Sequence, residues 1–252
     1  MGFVMNWYRK AQSLAAHPLF GLEQELFDRA VSEIKSRYGT SEITFSTEGE
    51  STGNHELLFI MDCSSWLKRI KEATGIPIND RMANLAVSAR NGSIYSIQES
   101  AQYITIRGDE AGLIVFVVPL RSNILWMETN RKSVLSTLSH ELQHYIDAVS
   151  GSKYESGLDY MQRKHEIRAY SLEFAQAMID ILKKRWRKRL PVGTRGNFTL
   201  LKLIGMNKDM ITREIRDRLI IVNGISEESI LNTYIDTIMQ NISSILSSGP
   251  SS

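Results

Sequence analysis

Residues 139–147 have the sequence Ser-His-Glu-Leu-Gln-His-Tyr-Ile-Asp, which contains a His-Glu-x-x-His motif. The pattern of the surrounding residues predicts a helix over about 130–149. Side chains four residues apart lie one above the other on a helix, so the imidazoles of His140 and His144 can bind one metal ion. Glu141 then lies beside an open coordination position, where its carboxylate can accept a proton from a water molecule.

The predicted helix has identifiable ends and two different faces. Asn130 can act as its N-cap, and Gly151 stands where a helix C-terminus favours a left-handed residue. One face is an apolar stripe made of Val134, Leu135, Leu138, Leu142, Tyr145, Ile146 and Val149. At about 100° per residue, the two histidines are roughly 200–240° away from Leu138. We therefore expect one face to pack into a core and the other to line a polar cleft.

Length and composition restrict the class of protein. The 252 residues suffice for one large domain, or for a domain with an appended arm. Hydrophobic residues make up 42% and charged residues 23%, as in an ordinary globular protein, and the net charge of +2 indicates neither nucleic-acid binding nor an acidic substrate. The single cysteine, Cys63, excludes an internal disulfide and a cysteine-based zinc cluster.

No segment has the pattern of a targeting or membrane-spanning sequence. The first 20 residues lack the long apolar core of a signal peptide. The longest apolar run, 113–120, has the length of a strand. We expect a soluble, cytoplasmic protein with no membrane partner.

The first half of the chain is predicted to contain most of the strands. An N-terminal helical arm, residues 1–40, is predicted from helices over 5–17 and 19–38, and a short helix is predicted over 66–73. Strand-like runs occupy 43–46, 57–61, 85–87, 93–97, 103–107 and 113–118. Asn91-Gly92 and Gly108-Asp109 indicate turns between them. The run 113–118 is apolar at every position, which indicates a strand covered on both faces.

The second half is predicted to be helical. Beyond the motif helix, helices are predicted over 162–188, 198–205, 208–222 and 226–247, followed by a disordered tail at 247–252. Strands first and helices afterwards indicate an α+β fold, with a mixed sheet, a motif helix and a helical C-terminal half in a domain spanning 41–252. Oligomeric state is not indicated.

A hydrolytic zinc site usually has three protein ligands, so a third ligand is needed. Glu166 and Glu173 are candidates on the long second helix; they are seven residues apart and share a face, so periodicity alone does not separate them. A short loop after the motif helix predicts an antiparallel second helix, whose early turns approach His144. This argument favours Glu166, with Glu173 about 10 Å further along. Ala169 is small enough to allow close packing of the two helices.

Across about 40 residues, 137–175, the chain resembles the gluzincin branch of the zincin metallopeptidases. The resemblance is carried by His140, Glu141, His144 and the Glu166-x-x-Ala169 stretch. It implies a zincin-like fold in which the two histidines and Glu166 bind Zn²⁺ and Glu141 is the general base. It also implies that a strand near the motif helix binds the substrate peptide by strand addition.

Further residues are candidates for supporting roles. Asp147 lies on the histidine face and could orient a ligand histidine, and Glu173 could do the same. Tyr170, one turn after Glu166, could donate a hydrogen bond to the oxyanion formed during hydrolysis. The competing candidates for that role are Tyr154, Tyr160 and His165, and His17 and His55 are interpreted as incidental.

Two functions of different classes follow from these patterns. The first is a zinc-dependent peptidase, an endopeptidase rather than an exopeptidase, with Glu141 as general base and a peptide or protein substrate. The second is a non-catalytic binding or structural protein that retains a zincin fold and binds a partner through the basic run 183–189. That run is also explained as the solvated C-terminus of a helix, and nucleic acid is not the expected partner. A His/His/Glu site would also accept Mn, Fe, Co or Ni.

Overall fold

The structure is a computed structural model that describes residues 21–38, 55–92, 94, 99–105, 112–119, 124–151, 158–187 and 196–248. The described residues belong to two compact units, one within 21–151 and the other within 158–248. The helix predicted over 5–17, the strand predicted over 43–46 and the turn predicted at Gly108-Asp109 lie outside the described residues.

The first unit contains a mixed sheet of four described strands. They are β1 (His55–Asp62), β2 (Asn84–Gly92), β3 (Ala101–Thr105) and β4 (Gly112–Pro119). Their order is β1-β2-β4-β3, with β2 and β4 parallel and the other two pairs antiparallel. β4 therefore lies inside the sheet, and its residues from Ile114 to Val118 are all buried. This confirms the prediction of a strand covered on both faces.

Two details of the strands differ from the sequence-based expectation. The turn predicted at Asn91-Gly92 is wrong, because both residues belong to the end of β2 and pair with Val118 and Pro119 of β4. The strand predicted over 85–87 is longer, since β2 is continuous from Asn84 to Gly92, and the strand predicted over 93–97 lies, except for residue 94, outside the described residues. A parallel partner comes from a distant part of the chain, and the local Asn-Gly pattern does not reveal it.

The described part of the first unit also has four helices and a 3₁₀ turn before β2. The helices are α1 (Leu22–Tyr38), α2 (Ser64–Thr74), α3 (Ile124–Thr129) and α4 (Arg131–Val149), and the turn is Asp80–Met82. α1 contacts β1, α3 and α4, and its apolar face is fully buried at Leu26 and Phe27. The proposed division between an arm and a catalytic domain at residue 40 stays a prediction.

α4 begins and ends where the sequence predicts. Asn130 occupies its N-cap position, although the Asn130 side chain donates to the carbonyl of Trp126 instead of capping the helix. Gly151 follows the C-terminus with φ 70°, the left-handed conformation that glycine adopts without a steric cost. The predicted apolar stripe is buried at Val134, Leu138, Leu142, Tyr145, Ile146 and Val149. The motif helix is therefore anchored in the core of the first unit by one face.

An aromatic cluster joins β3 to α4. The ring of Tyr145 in α4 stacks on Trp66 with centroids 6.2 Å apart and contacts the ring of Tyr103 in β3 at 5.9 Å. Gly112 leaves room for this contact, because a Cβ atom there would lie 2.4 Å from Cε2 of Tyr103. Aromatic pairs of this kind stabilise packing by about 0.5–1.5 kcal/mol beyond area burial. β3 is thus held against the helix that carries the motif.

The described part of the second unit has four helices packed around one apolar core. They are α5 (Lys164–Arg187), α6 (Asn197–Met206), α7 (Lys208–Asn223) and α8 (Glu228–Ser248), and a 3₁₀ turn at Tyr160–Gln162 precedes α5. All four predicted helices are confirmed. The disordered tail is wrong for residues 247 and 248, which are helical because Leu246 is still buried and stabilises the last turn. Within the described residues, no helix has the length and apolar character needed to cross a membrane.

Candidate metal centre

The two motif histidines of α4 form a close pair of buried side chains. His140 and His144 are only 6% and 8% exposed, and their Nε2 atoms are 3.2 Å apart. Their rings are inclined at 80° with centroids 4.9 Å apart. A tetrahedral zinc ion with Zn–N bonds of about 2.0–2.1 Å would require ligand nitrogens about 3.3 Å apart. The pair therefore has the separation needed to bind one ion.

Glu141 is partly buried and contacts the edge strand β3. Its Oε2 atom accepts a hydrogen bond from the backbone N–H of Tyr103 at 2.7 Å. The carbonyl of Ser100 accepts a hydrogen bond from Val117 N–H in β4. In this antiparallel pairing, bonded and non-bonded positions alternate, so Gln102 bonds to β4 whereas Tyr103 directs its N–H away from β4. Glu141 thus lies beside the outer edge of the described sheet.

Glu166 completes a group of three buried side chains that could hold a metal ion. His140, His144 and Glu166 each offer one ligand atom, and these atoms lie within 4.8 Å of one another. Two imidazole nitrogens and one carboxylate oxygen are a donor set that zinc accepts in catalytic sites. Glu173, two turns later in α5, is not a member of this group and is partly exposed.

The surroundings of Glu166 within the second unit are polar and aromatic. The carboxylate of Glu166 is 4% exposed, and its Oε1 atom is 3.3 Å from Nε2 of His165. Burial raises the pKa of Tyr234 in α8, and the negative charge of Glu166 raises it further. Tyr234 therefore lies near the carboxylate, a neighbour that no spacing in the sequence indicates.

The supporting residues have the following contacts. Asp147 is buried, and its Oδ1 atom accepts a hydrogen bond from Gln143 at 3.2 Å. The ring of Tyr170 contacts the ring of Tyr160 edge-on, with centroids 6.2 Å apart. The roles predicted for Asp147, Tyr170 and Glu173 stay predictions. Of the competing candidates, Tyr160 is 48% exposed, His165 is buried beside Glu166 and Tyr154 lies outside the described residues.

Cys63 is not a member of the group of described residues that could hold a metal ion. It is 1% exposed, and burial, assisted by the charge of Asp62, raises the pKa of its thiol to about 12. Without a metal, this thiol is therefore protonated at neutral pH.

The basic run is partly used within the second unit. Arg185 donates two hydrogen bonds to the carboxylate of Glu214, at 2.7 and 2.9 Å, while Lys183 and Lys184 are exposed. This bidentate contact lowers the pKa of Glu214. A structural role thus accounts for one of these cations. Residues 188 and 189 of the run, like His17, lie outside the described residues, whereas His55 is the first residue of β1.

Comparisons of the chain with protein families, with curated proteins and with solved structures found no match.

Proposed function

We propose that this protein is a zinc-dependent peptidase. The observation that carries the proposal is the separation of 3.2 Å between the buried Nε2 atoms of His140 and His144, on a helix whose next residue after the first histidine is a glutamate. In this proposal His140, His144 and Glu166 hold the metal. Zinc, when bound, supplies a Lewis acid that polarises the scissile carbonyl and makes a water molecule more acidic.

Glu141 is the general base of the proposed reaction. Its carboxylate takes the proton from the attacking water and then transfers it to the leaving amine. The hydrogen bond from Tyr103 N–H restrains the carboxylate at a defined position. A restrained base loses little entropy on reaching the reactive geometry, which favours catalysis.

The proposed substrate is a peptide in an extended conformation. β3 is an edge strand of the described sheet, and Glu141 lies beside its outer edge. An extended peptide can form main-chain hydrogen bonds with such an edge, which would place its carbonyl groups near Glu141. Tyr170 is proposed to donate a hydrogen bond to the oxyanion.

The test combines metal analysis of the purified chain with a cleavage assay on a broad peptide library. We expect about one zinc per chain and hydrolysis that stops after chelation and returns after zinc is restored. Zinc without hydrolysis of any peptide would instead support the alternative, a non-catalytic protein that retains a metal site. Absence of zinc and of other divalent metals would contradict both.

A further inference from the structure

The position of Glu166 depends on the turn that precedes α5. Glu166 is the third residue of this helix, and the 3₁₀ turn at Tyr160–Gln162 leads directly into it. Within this segment Arg163 N–H donates to Tyr160 O at 3.3 Å, and Ile167 N–H donates to Arg163 O at 2.9 Å. Because the turn and the first turn of α5 are continuous in hydrogen bonding, a movement of the turn would move Glu166.

A tyrosine from α8 holds this turn. Tyr234 is fully buried, and its hydroxyl donates a hydrogen bond to the backbone carbonyl of Met161 at 3.0 Å. Met161 is the middle residue of the turn and lies five positions before Glu166. A buried tyrosine hydroxyl requires a partner, and loss of that hydroxyl would leave the Met161 carbonyl without this donor.

Tyr234 is also close to the carboxylate of Glu166. The charge of Glu166 contributes to raising the pKa of Tyr234, after burial, which indicates that the two side chains are near each other. A second contact supports the turn from α5, where the ring of Tyr170 meets the ring of Tyr160. Tyr170 is half-buried whereas Tyr234 is fully buried, so Tyr234 is the buried member of the two tyrosines that hold the turn.

We propose that Tyr234 is a positioning residue for the metal ligand Glu166, acting through its hydrogen bond to the carbonyl of Met161. This inference rests on the proposed function, in which Glu166 binds zinc. Residues that orient a ligand typically change metal affinity by 10–100-fold when altered. α8 would then contribute to the metal site although it carries no ligand.

The test compares Tyr234→Phe with Ser243→Ala. The first variant removes only the hydroxyl of Tyr234. The second removes another buried hydroxyl of α8, which donates to Met239 O at 2.9 Å and lies about 13 Å further along the helix, at 1.5 Å per residue. Zinc dissociation constants are measured by competition with a chelator, and thermal midpoints are recorded for each variant.

We expect Tyr234→Phe to weaken zinc binding about tenfold and Ser243→Ala to change it by less than about twofold, with similar losses of thermal stability. Unchanged affinity in Tyr234→Phe, or an equal loss in both variants, overturns the inference. A parent chain that binds no zinc overturns the proposed function as well, so the two failures are distinguishable.

A measurement on the parent chain covers the case in which Tyr234→Phe does not fold. If Tyr234 and Glu166 are coupled, zinc binding slows amide hydrogen exchange around Tyr234 in α8 as well as at the start of α5. Slowing confined to α4 and the start of α5 would overturn the inference.

Discussion

The carboxylate of Glu141 accepts a hydrogen bond from the backbone N–H of Tyr103 at 2.7 Å. This bond joins the motif helix to the edge strand β3, and the contact between the rings of Tyr103 and Tyr145 joins the same two elements. The proposed base and the proposed peptide-binding edge therefore belong to one unit of the fold. Their relative geometry is set by the core of that unit.

His140→Ala and His144→Ala should each lower the zinc content sharply from about one ion per chain. Each change removes one of two nitrogens that are 3.2 Å apart and leaves only two of the three proposed ligands. Elemental analysis after mild dialysis measures this. His55→Ala, in β1, is the control and should leave zinc unchanged; unchanged zinc in both motif variants would contradict the assignment.

Glu141→Gln should retain the metal and the fold but lower peptide hydrolysis by about 10³-fold or more. The amide oxygen of glutamine can still accept the hydrogen bond from Tyr103, but the side chain no longer takes a proton. The measurements are kcat for the best library peptide and zinc content. Hydrolysis at the parental rate would show that another group is the base.

Glu166→Ala should weaken zinc binding strongly and abolish hydrolysis, whereas Glu173→Ala should cost much less. Glu166 is buried in the group that could hold a metal, and Glu173 is partly exposed and outside that group. Both substitutions remove the same atoms from the same helix, so each variant is the control of the other. A paired zinc titration decides, and the reverse order of affinities would exclude Glu166 as the third ligand.

Glu23 should make the free energy of unfolding depend on pH. Burial raises its pKa from 4.5 to about 7, against the lowering effect of backbone hydrogen bonds. Because the folded-state pKa is above the unfolded value, the stability contributed by the protonated carboxyl is complete below pH 4.5 and is lost as the pH rises to about 7.

Glu23→Gln should therefore be more stable than the parent at pH 8, by about 3 kcal/mol, and nearly equal to it at the unfolded-state pKa of 4.5. Urea denaturation at both pH values measures the difference. Glu25→Gln changes an exposed residue in the same turn of α1 and is the matched control. An advantage of Glu23→Gln that is independent of pH would contradict the mechanism.

The sequence alone predicted the elements whose patterns are local. The ends of α4, the helices of the second unit and the buried character of β4 follow from periodicity over a few turns or from special residues such as Gly151. The closeness of His140 and His144 could also be predicted from the sequence, because residues four apart on a helix must be neighbours. Interactions of this range are decided by the backbone geometry of one element.

Tertiary structure decided the features that depend on pairing between distant segments. The parallel alignment of β2 with β4 makes Asn91 and Gly92 part of a strand although their local pattern favours a turn. The contact of Glu141 with Tyr103 uses a backbone donor, which every residue except proline has, so no residue type reveals it. Glu166 and Glu173 occupy the same helical face, and only packing separates a buried carboxylate from a partly exposed one. Periodicity specifies direction around an axis, whereas distance to another element is specified by the side chains that fill the space between them.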